Sequence, residues 1–133
     1  YEIDIARELL EDAIRGADNG HCQSYAAELD GKVVGWVCFG PTPCTAGTFD
    51  IYWIAVAPSV QSRGVGRVLL DFAETEIRTR GGRLAVAETS GRQVYESTRR
   101  FYERRGYRVA ARIADFYEVG DAKVVYVKSV AGA

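Results

Sequence analysis

The sequence predicts a mixed α/β sheet with helices on its faces, built as one domain. Three observations carry that expectation. Runs of strand length rich in valine and aromatic residues recur along the chain, and one of them, Thr48 to Ala57 (TFDIYWIAVA), is almost unbroken. Between the runs lie two stripes at helical spacing: Val65, Leu69, Phe72, Ala73, Glu76 and Ile77, then Val94, Tyr95, Thr98, Phe101 and Tyr102. The 133 residues suit one domain, and with 47% hydrophobic and 26% charged residues they can bury a core without disulfides or a structural metal.

The elements follow in order. Ile3, Ala6, Leu9, Leu10, Ala13, Ile14 and Ala17 fall at helical spacing and predict an amphipathic helix ending between Gly16 and Gly20. Ser24 to Leu29 reads as a short strand, Asp30-Gly31 as a hairpin turn, and Lys32 to Phe39 as the returning strand. Gly40-Pro41-Thr42-Pro43 breaks that strand. Thr48 to Ala57 is too short and too rich in β-formers for a typical helix, and its apolarity predicts a central strand buried on both faces, ended by Pro58. The stripe from Val65 to Ile77 predicts a helix packed on the sheet and closed by Gly81-Gly82. Arg83 to Glu88 is a further short strand; the stripe from Val94 to Tyr102 is the next helix, capped by Gly106. Tyr107 to Ile113 alternates as a strand, Gly120-Asp121 turns the chain, and Lys123 to Val130 is the last strand.

Charge and composition exclude several classes. With 17 basic and 18 acidic residues the formal net charge is -1, which is not the basic footprint of a nucleic-acid binder. No apolar run approaches the roughly 18 residues of a membrane span, and no signal peptide is evident. The odd set Cys22, Cys38 and Cys44 lacks C-x-x-C spacing and argues against a disulfide framework or a zinc site. His21 is the only histidine and reads as an exposed loop residue, so a His-based metal cluster or Ser-His-Asp triad is not expected. The default compartment is the cytoplasm. The chain begins at Tyr1 and contains no methionine, so an upstream segment is expected.

The chemistry concentrates in Ile54 to Gly66 (IAVAPSVQSRGVG), where an apolar strand ends at a proline and a loop delivers Gln61-Ser62-Arg63-Gly64-Val65-Gly66 into a helix. The first N–H groups of a helix lack intrahelical partners and sit at the positive end of its dipole. Gly64 and Gly66 let the backbone approach a ligand, so the segment reads as a pyrophosphate cradle, with Arg63 and Arg67 adding charge. A plain glycine-bearing turn before a helix is the competing account. The P-loop pattern and the third glycine of a dinucleotide fingerprint are absent.

Val56-Ala57-Pro58-x-x-Gln61-x-x-Gly64-Val65-Gly66, after an apolar strand, resembles the acetyl-coenzyme A signature of the GCN5-related N-acetyltransferases (GNAT). Thr98 to Tyr107 (TRRFYERRGY) resembles the L-Y-x-x-x-G-F segment of the same family, and the two motifs stand in the family's order. The resemblance covers roughly Val33 to Val130. It implies a mostly antiparallel central sheet flanked by helices, with a splay between two central parallel strands. The family's first strand and helix would lie upstream of Ile3, leaving residues 1–133 as a single domain that lacks them.

The resemblance also implies roles. The pantetheine arm of acetyl-CoA would enter the splay like an extra strand, pairing with the backbone of Ile54, Ala55 and Val56. Tyr102 matches the tyrosine placed near the thioester sulfur, where a phenol can protonate the departing thiolate. Glu88, at the end of its strand, is the first candidate for the base, as in protein N-terminal acetyltransferases of the family; water or Asp50 are alternatives. A Cys nucleophile is not required, and Cys38 and Cys44 have no histidine partner. Tyr95 stands where many relatives carry a pantetheine-contacting asparagine. Tyr52, Trp53, Trp36, Phe116 and Tyr117 are candidates for an acceptor pocket or for ordinary strand packing. Arg99, Arg100, Arg104 and Arg105 form a basic patch, mostly a solvated helix face, with the coenzyme's 3′-phosphate as a possible contact.

The expected activity is therefore acetyl transfer from acetyl-CoA to a primary amine of a small molecule or protein, with no metal and no nucleic-acid or membrane partner. A homodimer is compatible with the family. Two other classes compete: a non-catalytic acyl-CoA-binding regulatory module, and a nucleotide-binding α/β domain.

Overall fold

The computed structural model describes residues 3–7 and 22–131. In chain order the elements are β1 (Asp4–Arg7), β2 (Gln23–Leu29), β3 (Lys32–Pro41), β4 (Thr48–Val56), α1 (Val65–Thr79), β5 (Leu84–Ser90), α2 (Glu96–Arg104), β6 (Arg108–Glu118) and β7 (Asp121–Ser129). The strands form one seven-stranded sheet, among the described residues, in the order β1-β2-β3-β4-β5-β7-β6. Every neighbouring pair is antiparallel except β4 and β5. The mixed α/β sheet is as expected.

α1 follows the 3.6-residue period: Val65, Leu69, Leu70, Ala73 and Ile77 are buried, and the helix lies on β3 and β4. From the sheet, Val37, Phe39, Phe49, Ile51, Ala85 and Ala87 are among the residues of the same core. Each fully buried Leu, Val or Phe side chain contributes about 1.5–3 kcal/mol over leaving it in water. The helix comes so close to the sheet that β3 carries Gly35 beneath it. A Cβ at Gly35 would stand 2.6 Å from the Ala55 carbonyl oxygen and 3.3 Å from side-chain atoms of Leu69 and Val65.

Several expectations are corrected. The helix read from Ile3 does not begin there: Asp4–Arg7 is a strand paired antiparallel with Glu28 to Tyr25 of β2. Ile3 and Ile5 also fit a two-residue period, and both pack against the core, so pairing at the sheet edge overrides helical spacing. The rest of that predicted helix, and His21, lie outside the described residues. β4 is not buried on both faces: Phe49 and Ile51 face the core, whereas Tyr52 and Ala55 are exposed. β3 runs on through Gly40 and Pro41 because these pair with Asp50 and Phe49. The second helical stripe starts late, for Gln93–Tyr95 form a 3-10 turn that leaves Val94 and Tyr95 exposed.

The cysteines are corrected as well. Cys22 and Cys38 are joined in a disulfide, with their Cα atoms 6.3 Å apart, and Cys44 is free and exposed. The β2–β3 register explains the pairing: Ser24 faces Cys38, and Cys22 lies two residues further along the same side. An odd count is compatible with one bridge and one thiol, so cysteine number gives no support for a reducing compartment. Among the described residues no helix is long and apolar enough to cross a membrane.

Candidate active site

β4 and β5 run parallel and paired only from Thr48↔Leu84 to Ile51↔Ala87. Beyond that point each strand keeps its other neighbour. β4 continues along β3 to Gly35↔Val56, and β5 continues along β7 to Ser90↔Lys123. The two central strands therefore part, and the facing backbone edges of residues 52–56 and 88–90 open towards each other. This is the predicted splay.

A cleft of about 740 Å³ lies at this opening. Ile54 and Val56 line it from β4, Gln61 to Arg67 from the loop and first turn of α1, and Ser97, Thr98, Phe101, Tyr102, Arg104 and Arg105 from α2. The loop is shaped by its backbone. Gly64 caps α1 at φ 83°, a left-handed conformation that glycine adopts without strain, and supplies no side-chain cap. The first helical bond runs from Val68 N–H to the Gly64 carbonyl at 3.0 Å, which leaves the amides of Val65, Gly66 and Arg67 without intrahelical acceptors. No acidic residue occupies the first turn, so the positive end of the helix dipole is not neutralised from within. Ser62 is also left-handed, at φ 78°, an uncommon conformation for a residue with a side chain. Gln61, though exposed, donates from Nε2 to the Val56 carbonyl at 3.4 Å, tying loop to strand.

Tyr102 is 6% exposed and reaches the cleft from the buried side of α2. Burial pushes its hydroxyl up to about 12, so the group keeps its proton at neutral pH. Its ring lies against those of Phe101, Tyr107 and Tyr126, at centroid distances of 5.4, 5.4 and 5.9 Å.

The structure gathers Ile54, Val56, Gln61, Ser62, Arg63, Gly64, Val65, Gly66, Arg67 and Tyr102 around this cleft. Ala55, Tyr95 and Glu88 are not among its lining residues. Ala55 points its side chain to the opposite side of the strand, as a two-residue period requires. Tyr95 sits on the exposed 3-10 turn. Glu88 does not end its strand: β5 runs two residues further, to Ser90, and Glu88 Oε2 lies 3.2 Å from Lys123 Nζ. Lys123 Nζ also stands 4.4 Å from the centre of the Phe116 ring, and Phe116 abuts Tyr117. Asp50, on β4, has a carboxyl raised above its usual value, first by burial, with the Glu88 charge adding and Lys123 opposing.

The arginines separate. Arg99 donates from Nη1 to the carbonyls of Ser90 and Arg92, both at 2.8 Å, and Arg100 pairs with Glu96 at 2.9 Å. Arg104 and Arg105 line the cleft with Arg63 and Arg67. The sequence marks Phe101 only as part of a helical stripe and does not mark Ser97, yet both line the cleft. The helical spacing held a signal: Thr98 stands one turn before Tyr102 and Ser97 one turn before Phe101, so each pair shares a side of α2. Amides at a helix start, four arginines and a free strand edge are the donors that an anionic, amide-bearing coenzyme requires, so acetyl-CoA fits the residues present.

Known proteins agree with this geometry. The model of the acetyltransferase (GNAT) family matches residues 2–107. A GNAT-family protein from Desulfovibrio desulfuricans is 36% identical, covers 97% of this chain and 99% of its own, and superposes with a TM-score of 0.87. The ribosomal-protein-S18-alanine N-acetyltransferase of Escherichia coli is 16% identical, with coverages of 99% and 96% and a TM-score of 0.83. A GNAT family acetyltransferase from Elizabethkingia anophelis with acetyl-CoA bound is 17% identical, with coverages of 96% and 97% and a TM-score of 0.79. No curated protein matches the sequence. The parted parallel strands and the glycine loop thus define an acetyltransferase fold, and the chain belongs to the GNAT family.

Proposed function

We propose that this chain transfers the acetyl group of acetyl-CoA to a primary amine. The observation that carries the reading is the parting of β4 from β5 after Ile51↔Ala87, beside an α1 N-terminus with no acidic residue in its first turn. The diphosphate lies on the amides of Val65, Gly66 and Arg67, and the pantetheine arm follows the free edge of Ile54 to Val56, a binding mode that needs backbone and not special side chains.

The neutral amine nitrogen attacks the thioester carbonyl carbon. A C–N bond forms, and the carbonyl electrons move to an oxyanion that an N–H of β4 stabilises. Collapse of that intermediate breaks the C–S bond. The departing sulfur takes the Tyr102 proton, and the amine loses a proton to a carboxylate. Glu88 is the base proposed here. Asp50 is the alternative, favoured by its raised carboxyl and by the engagement of Glu88 with Lys123.

Thiol release from acetyl-CoA over a panel of amines tests the activity; coenzyme binding without release on any amine would mark a binding module. Tyr102→Phe is expected to lower kcat roughly 10²-fold with the acetyl-CoA dissociation constant unchanged. Unchanged turnover in that variant would remove the general-acid role. For the base, the variant among Glu88→Gln and Asp50→Asn that loses the acidic limb of the kcat–pH profile names the residue.

A further inference from the structure

Tyr102 is held between two other tyrosines, and each of those is itself anchored. Tyr107 packs edge-on against the Tyr102 ring, at 68° between planes, and its hydroxyl donates to Glu74 Oε2 at 2.8 Å. Tyr126 stacks on the Tyr102 ring at 23°, and its hydroxyl donates to Glu103 Oε2 at 2.8 Å. Glu74 lies on the buried stripe of α1, 4% exposed, and its other oxygen accepts from Lys128 Nζ at 2.9 Å. The network therefore joins α1, which begins at the glycine loop, to β7 and to the turn that follows α2.

A buried carboxylate on an otherwise apolar stripe is an expensive way to hold a helix on a sheet. Replacing such an ion pair by well-packed apolar residues is often neutral or stabilising. What it provides that leucine cannot is direction: Lys128 fixes the carboxylate, and the carboxylate accepts the Tyr107 hydroxyl and so fixes where that ring stands. Tyr107 also departs from the L-Y-x-x-x-G-F motif, which has phenylalanine at this position, and the added hydroxyl is the atom that meets Glu74.

We propose that Tyr107 and Tyr126, anchored on Glu74 and Glu103, are positioning residues that aim the Tyr102 hydroxyl at the thioester sulfur. This rests on Tyr102 being the proton donor. The anchors touch neither substrate nor the reacting atoms. They act only through the orientation of the ring between them, so their removal costs nothing once the Tyr102 hydroxyl is gone.

A double-mutant cycle on the full chain tests this, reading kcat and the acetyl-CoA KM separately. Tyr107→Phe keeps the ring and restores the motif residue. It is expected to lower kcat roughly fivefold to tenfold with KM unchanged, since small misplacements of a reacting group are costly. In the Tyr102→Phe background the same change is expected to lower kcat no further, the non-additivity of residues acting as a unit. Glu74→Gln, read in the same cycle, gives a second route should Tyr107→Phe fold poorly. If Tyr102→Phe is slow while both anchor variants turn over like the wild type, positioning is wrong and the proton-donor role stands. An anchor effect that persists at full size in the Tyr102→Phe background also overturns it, as a purely structural role would. If Tyr102→Phe itself turns over normally, the proton-donor role falls and the positioning proposal falls with it.

Discussion

Burial raises the proton affinity of two side chains, Tyr102 lining the cleft and Asp50 on β4. At Tyr102 it raises the hydroxyl to about 12, so the group stays protonated at neutral pH. At Asp50 it raises the carboxyl above 3.8, and the folded protein therefore binds this proton to a higher pH than the unfolded chain does. The Asp50 contribution to stability is fully present below the unfolded value and is lost as pH rises through the folded one. Asp50→Asn cannot lose a proton, so its stability relative to wild type is expected to rise between about pH 3 and neutrality, as chemical denaturation at each pH would show. A difference independent of pH would mean that the Asp50 carboxyl is not shifted by folding. Tyr102 was legible in the sequence because Phe101-Tyr102-x-x-x-Gly106 is a local pattern. The engagement of Glu88 with Lys123 was not legible, since it depends on register between β5 and β7, and the residues are 35 apart along the chain by their numbers.

Elements with strong local signals emerged close to their predicted bounds. The Asp30-Gly31 turn, the α1 stripe and the glycine that follows α2 all depend on neighbours within a few residues, and all appear in the structure. Asp4–Arg7 failed because its four residues satisfy both periods, and a partner strand decides between them. The exposed side of β4 failed because an apolar run does not reveal which layers exist to cover it. Gly35 shows the same point in energy. Nothing nearby in sequence marks it, yet α1 and the Ala55 carbonyl leave no room for a Cβ. Gly35→Ala is expected to cost about 1–3 kcal/mol by overpacking, visible as a lower denaturant midpoint with unchanged slope. A stability equal to wild type would show that β3 and α1 are less closely apposed than described.

Over the whole molecule, the central feature is a break in pairing inside an otherwise continuous sheet. No periodicity announces it, because the residues on either side of the splay are ordinary β-formers that satisfy themselves on β3 and β7. Family resemblance alone implies it, while the expectation of a phosphate cradle comes from strand, glycines and helix start. The two meet at one cleft, with strand edge and helix amides contributed by segments of chain only a few residues apart. The most direct test of that arrangement is a nitrogen-15 amide titration with coenzyme A. The account predicts that the largest shifts fall on Val65, Gly66 and Arg67 at the helix start, together with Ile54 to Val56 on the free edge of β4. Saturable binding that leaves those amides unmoved while shifting others would contradict it.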